Sequence, residues 1–195
     1  MGKVEVCIDS EIPFGLPNSW AWIRLSSVLT STDASKSPQC KDRPRSQGEW
    51  GVIKTTAIQD AQFLENENKV LPEGFDVPIH SRICSGDLLI TRAGPRNRTR
   101  IMCVVDYQPE NLMLSDKTVR LSYFREYVDP YYIMAALQSP AMQYGMTASM
   151  SGMAESQVNI SQDKMKRFLL PLPPLAEQHR IVDQIKAILP MVKSL

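Results

Sequence analysis

Two apolar runs separated by a short basic segment constrain the fold of this chain more than any other feature. Residues 87–91 have the apolar centre Leu88-Leu89-Ile90, residues 101–105 are apolar throughout, and Gly94-Pro95 stands between the two runs. A glycine followed by a proline favours a turn, because proline cannot donate to a strand ladder. The pattern predicts a long β-hairpin. Alternating or apolar residues predict further strands at 20–25, 50–57 and 119–121.

The second half of the chain carries helix signals. Asp129-Pro130 predicts a helix start, with an acidic cap followed by proline at the first helical position, and Ser139-Pro140 repeats the device. Ser161 is expected to cap a short helix that runs through Lys166. Residues 148–156 are small, polar and rich in methionine, which predicts a loop. Residues 168–171 are predicted to be extended.

A stripe of apolar residues follows near the C-terminus, at spacings that suit a helix packing against another helix. Pro190 removes one backbone hydrogen bond and predicts a kink or an end near Leu189. The stripe is interpreted either as core of the same domain or as a docking face for a partner helix. Its members are Leu175, Ile181, Val182, Ile185 and Leu189.

Composition limits the functional classes. The chain is 43% hydrophobic and 22% charged, as is usual for a globular protein. Residues 1–14 carry acids and no apolar core, so a signal peptide is not expected, and no apolar run suits a membrane span. A cytoplasmic location follows as the expectation. The cysteine spacing fits no metal knuckle, and Cys84 and Cys103 are predicted to be buried. No metal and no cofactor are expected.

Candidate catalytic motifs are weak. Asp129-Pro130-Tyr131-Tyr132 resembles the D-P-P-Y signature of amino-methyltransferases, but the second proline is missing and the chain contains no Gly-x-Gly loop for a methyl donor. Asp60 with Glu67 and Lys69 is the best candidate for a nuclease site, and it lies on a turn-rich connection. The sequence therefore predicts a non-catalytic protein. A small DNA-modifying or DNA-cleaving enzyme remains the alternative.

Charge is distributed unevenly. The formal net charge is +1, yet the stretch from Arg82 to Arg100 holds five arginines and one acid, Asp87. A basic patch on one face of the fold would produce this asymmetry, as would an ordinary solvated surface.

Six segments, in order along the chain, resemble the specificity subunits of type I restriction–modification systems. The last of them marks the entry into a spacer helix and is the most specific. The segments are residues 12–25, GVIK at 51–54 with ENKVLP at 67–72, GDLLITRA at 86–93, LSDK at 114–117, NISQ at 159–162 and LPPLAEQHRIV at 172–182.

The resemblance implies an α+β fold, with a twisted, mostly antiparallel β framework followed by short helices and a C-terminal spacer helix. It divides the chain into a leader at 1–15, a target recognition domain at 16–171 and a truncated spacer helix at 172–195. The implied partners are double-stranded DNA, methyltransferase subunits and, through these, a restriction subunit. One recognition domain is present, so the chain is a fragment, an engineered piece or a half-subunit, which leaves open a second recognition domain or pairing with a copy of itself.

With that resemblance, the cations become candidates for DNA contacts. A hairpin tip could enter the major groove, where an arginine fork suits guanine and Asn97 suits adenine. The turn differs from the Asn-Thr pair of many relatives, so no target bases are carried over. The tip candidates are Arg92, Arg96, Asn97, Arg98 and Arg100. Phosphate contacts are expected from the loop residues Lys36, Lys41, Arg43 and Arg45, and further contacts from Lys54 and Lys117. A protein-only interaction module with an acidic partner is a third hypothesis.

Overall fold

The structure, a computed structural model, describes residues 7–193. Its strands are β1 Ala21–Arg24, β2 Leu29–Asp33, β3 Gly51–Ile53, β4 Ile58–Gln59, β5 Gln62–Phe63, β6 Asn68–Val70, β7 Leu88–Thr91, β8 Ala93–Gly94, β9 Met102–Val104, β10 Leu112–Met113, β11 Thr118–Tyr123, β12 Ser151–Ala154, β13 Gln157–Asn159 and β14 Leu169–Leu172. Its α-helices are α1 Pro130–Gln138, α2 Pro140–Ala148, α3 Gln162–Lys166 and α4 Leu175–Lys193. This content confirms the α+β class.

A four-stranded antiparallel sheet in the order β2-β11-β7-β9 forms the centre of the fold. Strands β7 and β9 are the arms of the predicted hairpin, and Leu89 lies opposite Cys103. All four residues of β7 are buried. Successive side chains of a strand point to opposite faces, so a strand buried throughout must be covered on both sides.

The two faces of this sheet pack into separate cores. Leu88 and Ile90 join a core that includes residues of α1, α2 and α4, whereas Leu89 joins a second core with Ile53 and Phe63. Full burial of an aliphatic side chain of this size contributes about 1.5–3 kcal/mol. The sheet is therefore held between a helical layer and a layer of short strands.

The burial of the two predicted core cysteines differs. Cys103 is 0% exposed on β9, which confirms its prediction. Cys84 is exposed, so its prediction is wrong. The cause is local, because Cys84 lies in the turn before β7, where its N–H donates to the Asp87 carboxylate at 2.9 Å.

The second strand expected from sequence is shorter than predicted. Strand β3 ends at Ile53, and Thr55–Ala57 form a 3-10 turn that the Ala57 N–H closes onto the Lys54 carbonyl at 3.1 Å. Strand β3 pairs antiparallel with β6 and parallel with β10. The framework is accordingly mostly antiparallel, as expected.

The helix-start signals have mixed outcomes. The Asp129 carboxylate accepts bonds from the N–H groups of Tyr131 and Tyr132, with Pro130 in the first turn of α1. Ser161 likewise caps α3 through the Lys164 N–H. Both predictions are confirmed. Ser139 precedes α2 without a side-chain cap bond.

Residues 148–156 were predicted to be a loop, and this prediction is wrong. They include β12, which pairs with β13, and β13 pairs in turn with β8 from the central hairpin. A Cβ atom on Gly152 would lie 2.4 Å from the Gln157 carbonyl oxygen, so only glycine fits this close approach. Strand β12 thus pairs with its neighbour β13, and a contact between β13 and the distant strand β8 holds this hairpin on the fold.

The C-terminal helix begins on the domain and then leaves it. Strand β14 pairs with β1, and α4 starts three residues later. Helix α4 continues to Lys193, so an end near Leu189 is wrong, and the alternative of a kink there stays a prediction. The backbone bond that is missing at Pro190 does not stop the helix. None of the helices within residues 7–193 is long and apolar enough to cross a membrane.

Candidate nucleic-acid interface

The basic turn between β7 and β9 is built into the fold and is not a free tip. Ala93 and Gly94 form β8, which is hydrogen-bonded to β13, and Arg96–Arg98 form a 3-10 turn. The Arg96 N–H donates to the Glu155 carbonyl at 2.9 Å, which ties the turn to the β12–β13 hairpin. The turn between β7 and β9 therefore does not project from the fold as a free hairpin tip. Its arginines lie on a surface braced from two sides.

Arg98 faces the interior and serves the fold. Its guanidinium donates to the carbonyl oxygens of Thr55 at 3.0 Å and Ile58 at 2.8 Å, and to the side chain of Gln59 at 3.1 Å. These bonds fasten the turn to the layer of short strands. The terminal nitrogens that would bind a base are thus bonded within the fold, and the assignment of Arg98 to DNA stays a prediction.

Arg100 is also bonded within the fold. It adopts a positive φ of 71°, and its guanidinium donates to the Gln143 side chain and to the Arg96 carbonyl. Burial, and then the neighbouring Arg96 charge, lower the pKa of Arg100. Arg100 thus links the turn to α2, and its role as a DNA contact stays a prediction.

Arg96 and Asn97 remain at the surface. The Arg96 Nε donates to the Glu155 carboxylate at 2.7 Å, an ion pair whose acid is 77% exposed. Such an exposed pair contributes about 0–1 kcal/mol, so a phosphate can displace the acid at little cost. The Asn97 side chain is exposed and makes no hydrogen bond to the residues that the structure describes.

Arg92 occupies the most organised position. Its Nε donates to the Asp116 carbonyl at 2.8 Å, and its backbone N–H donates to the Lys117 carbonyl at 2.9 Å. Its own carbonyl accepts from the Ile160 N–H at 2.8 Å. Within residues 7–193, Nη1 and Nη2 of this half-buried side chain have no hydrogen-bond partner, in contrast to the guanidinium groups of Arg98 and Arg100.

A groove beside Arg92 brings together cations from separate segments. It encloses about 290 Å³ and is lined by Lys54, Lys69 and Lys117, together with Ser37 and Asp116. Two of its lysines are paired with acids: Lys54 with Glu67 at 3.6 Å, and Lys69 with Asp42 at 3.0 Å. Sequence reasoning named Lys69 only in the candidate nuclease site and not as a DNA contact, because acids surround it in the chain.

The loop that carries the predicted phosphate contacts Lys36, Lys41, Arg43 and Arg45 is held by ion pairs. Arg43 makes a two-pronged pair with Glu49 at 2.6 and 2.7 Å, and this arginine, followed by the Ser46 N–H, lowers the pKa of Glu49 to about 2. Arg45 is half-buried and pairs with Glu65 at 3.3 Å. Both arginines are thus paired with acids, and their roles as phosphate contacts stay predictions. Lys36 and Lys41 are exposed, although the Lys41 backbone bridges to β6.

The apolar stripe of α4 serves two different surfaces. Val182 is 4% exposed in the main core and Ile181 packs partly against it, so this part of the stripe is self-packing and not a docking face. Leu175 and Ile185 are half-buried. Leu189 is 44% exposed, as is its neighbour Ile188 at 51%. An uncovered apolar surface therefore lies at the far end of the helix.

Gln178 was missed by sequence reasoning and joins α4 to the domain. It is 0% exposed, donates to the carbonyls of Tyr127 and Pro173, and accepts from the Asp129 N–H at 2.9 Å. A buried glutamine needs all these partners. Its position in a helix of mixed polarity gave no sign of burial.

The candidate catalytic groups are engaged elsewhere. Asp129 caps α1, and Tyr132 is 3% exposed with its hydroxyl on the Pro171 carbonyl, so this motif cannot stack a base. Asp60 bonds Gln138, whereas Glu67 bonds Thr56. In the described part of the chain, no three His, Cys, Asp or Glu residues converge as a metal site would require.

Comparison with known proteins identifies the family. Residues 17–190 match the model of the type I restriction modification DNA specificity domain. The chain belongs to this family. It is 38% identical over 179 residues to the type I restriction enzyme EcoEI specificity subunit of Escherichia coli and 23% identical over 176 residues to the EcoBI specificity subunit. These matches cover 91% and 88% of the chain, but 30% and 35% of the relatives.

Solved structures share the fold of this specificity domain. The crystal structure of the HsdS subunit from Thermoanaerobacter tengcongensis superposes with a TM-score of 0.66 at 22% identity, over 95% of this chain and 46% of that one. A chain from a study of complex assembly and conformational transition of the type I R-M system gives a TM-score of 0.67 at 18% identity, over 93% and 41%. The specificity domain thus spans less than half of each.

Proposed function

We propose that this specificity domain recognises a double-stranded DNA sequence for a type I restriction–modification complex and performs no chemistry itself. Residues 16–171 are the target recognition domain, residues 1–15 a leader and residues 172–195 the start of a spacer helix. Methyltransferase subunits, and through them a restriction subunit, supply the chemistry, with a second recognition domain on another chain or on a second copy. The proposed site of action is the cytoplasm.

One observation carries this proposal: cations and amides from separate segments gather on one braced surface at the Thr91 end of β7. We name this surface the basic face. Arg92 and Lys117 adjoin paired strands of the central sheet, and base reading needs side chains held by rigid elements. The side chains of the basic face are Lys36, Lys54, Lys69, Arg92, Arg96, Asn97 and Lys117.

The proposal is tested by binding of the purified chain to a pool of randomised DNA duplexes at several salt concentrations. We expect one short motif to be enriched, and affinity to fall with salt at about −0.9 in log–log slope per neutralised phosphate. The selection is repeated with the methyltransferase subunits added, since these are expected to tighten binding. Failure to enrich any motif in both selections, at salt where a control domain binds, would contradict DNA recognition.

We further expect the far end of α4 to dock on a protein partner. The double substitution Ile188→Asp and Leu189→Asp should weaken binding to the methyltransferase subunits by about tenfold or more, because it places charge on an apolar contact, and should leave the thermal midpoint unchanged. Titration calorimetry or sedimentation measures the first quantity, and circular dichroism the second.

The matched control is Gln184→Asp, which adds a charge at an exposed polar position of the same helix. It should bind the partner as the wild type does. Equal binding by the double variant and the wild type would remove the far end of α4 from the interface.

A further inference from the structure

The turn at residues 115–118, together with Arg92, is the best organised cationic element of the basic face. Ser115 and Thr118 are 5% and 0% exposed, and they close the turn from inside. The Ser115 N–H donates to the Thr118 Oγ1 at 3.0 Å, and the two hydroxyl oxygens are 3.1 Å apart. Since the inner residues hold the turn, Asp116 and Lys117 face outward and are exposed.

Arg92 lies across this turn. Its backbone N–H and its Nε bond two consecutive carbonyls, those of Lys117 and Asp116. The bond to Nε removes much of the rotational freedom of a long side chain, so less entropy is lost when the remaining nitrogens bind a ligand. Nη1 and Nη2 stay unbonded within residues 7–193, and they are the pair that forks onto a phosphate or a carboxylate.

The acid next to these cations is already engaged. The Asp116 carboxylate accepts a bond from the Ser37 hydroxyl at 2.6 Å, and its backbone N–H donates to the same hydroxyl at 3.2 Å. The turn therefore presents a point charge on Lys117 and a planar fork on Arg92, beside an acid whose carboxylate is bound by a hydroxyl. This combination suits a tetrahedral oxyanion better than a neutral base edge.

We infer that Arg92 and Lys117 form a clamp for one backbone phosphate of the DNA duplex, which sets the register of the domain without reading sequence. The inference rests on the proposed DNA recognition and assigns one contact within it. A phosphate contact carries no sequence information, so its loss weakens all duplexes alike.

The test compares Arg92→Gln, Lys117→Gln and the double variant on the enriched duplex and on a scrambled one. We expect each single variant to bind both duplexes about tenfold to a hundredfold more weakly, by the same factor, as for a lost charged hydrogen bond. The salt slope of the double variant should be shallower by about 0.9. Repeating the selection should return the same motif.

A second arm locates the phosphate. Duplexes that carry a single neutral methylphosphonate are scanned along each strand. At one linkage, the methylphosphonate should weaken DNA binding by the wild type and should have much less effect on Arg92→Gln and Lys117→Gln. These variants already lack a side chain that contacts this phosphate. Arg92→Lys keeps the charge but lacks the fork, so it should retain the salt slope with a smaller loss of affinity.

Arg125→Gln is the matched control, an exposed arginine just beyond the other end of β11. It should bind as the wild type does, and circular dichroism should show that all variants are folded. Wild-type affinity in both clamp variants would overturn the clamp, and so would a changed motif, which would make Arg92 a base reader. If the wild type binds no duplex, the proposed function itself fails, a result distinct from either.

Discussion

Replacing Arg120 with methionine is expected to lower the free energy of unfolding by about 3–5 kcal/mol, the cost of leaving buried charges without their partner. The guanidinium of Arg120 is 14% exposed and pairs with Asp33 and Asp87, both at 3.3 Å. It also donates to the carbonyls of Arg82 at 2.9 Å and His80 at 2.6 Å. Urea denaturation followed by circular dichroism measures the change.

The pH dependence of this loss provides a second readout. Burial raises the pKa of Asp87 above its ordinary value of 3.8, although the Cys84 N–H and Arg120 both lower it. Removing Arg120 should raise the pKa further. A carboxyl whose pKa is higher in the folded state than in the unfolded chain destabilises the fold at pH values where the unfolded chain is ionised. This free-energy cost disappears once the carboxyl is protonated in both states. Arg120→Met should therefore lose less stability at about pH 3 than at about pH 7.

Arg125→Met is the control, because Arg125 is exposed and lies two residues beyond β11. We expect it to change stability by less than about 0.5 kcal/mol. An Arg120→Met protein as stable as this control would show that the buried pairs contribute nothing net.

Replacing Arg98 with methionine is expected to lower the free energy of unfolding by about 2–3 kcal/mol. The substitution leaves the carbonyls of Thr55 and Ile58 without their charged donor, and an unmade hydrogen bond at a buried group costs about 1–3 kcal/mol. Thermal denaturation measures the effect.

Arg92→Met is the matched comparison for Arg98→Met, because both arginines come from the same basic segment. It should have a small effect on stability and a large effect on DNA affinity, whereas Arg98→Met should show the opposite pattern when binding is measured well below its melting temperature. Equal losses of DNA affinity, with both proteins folded, would place Arg98 in the interface after all.

The contrast between these arginines shows where sequence reasoning reached its limit. Five arginines between residues 82 and 100 looked alike as a basic patch. In the fold, Arg98 and Arg100 are bonded to internal partners from residues 55–59 and from Gln143, tens of positions away. Charge counts carry no information about such partners. The outward-facing Arg92 could be separated from them only in three dimensions.

The segment at residues 59–80, in which five acids accompany one lysine, illustrates the same limit. Its Lys69 lies in the groove beside Lys54 and Lys117, and its Glu65 and Glu67 pair with basic residues of other segments. Two of the acids in this segment are thus engaged in ion pairs. Neither the pairing nor the groove leaves a pattern along the chain.

The sequence by itself determined the central hairpin, the capped starts of α1 and α3, the C-terminal helix and the family, because turn chemistry, caps and apolar periodicity act between neighbours. Only the tertiary structure decided the pairing of the β12–β13 hairpin with β8, the internal hydrogen bonds of Arg98, the burial of Gln178 and the division of the α4 stripe between core and surface. Each of these depends on a hydrogen-bond or packing partner supplied by a distant segment, and a buried polar group is stable only where that partner meets it.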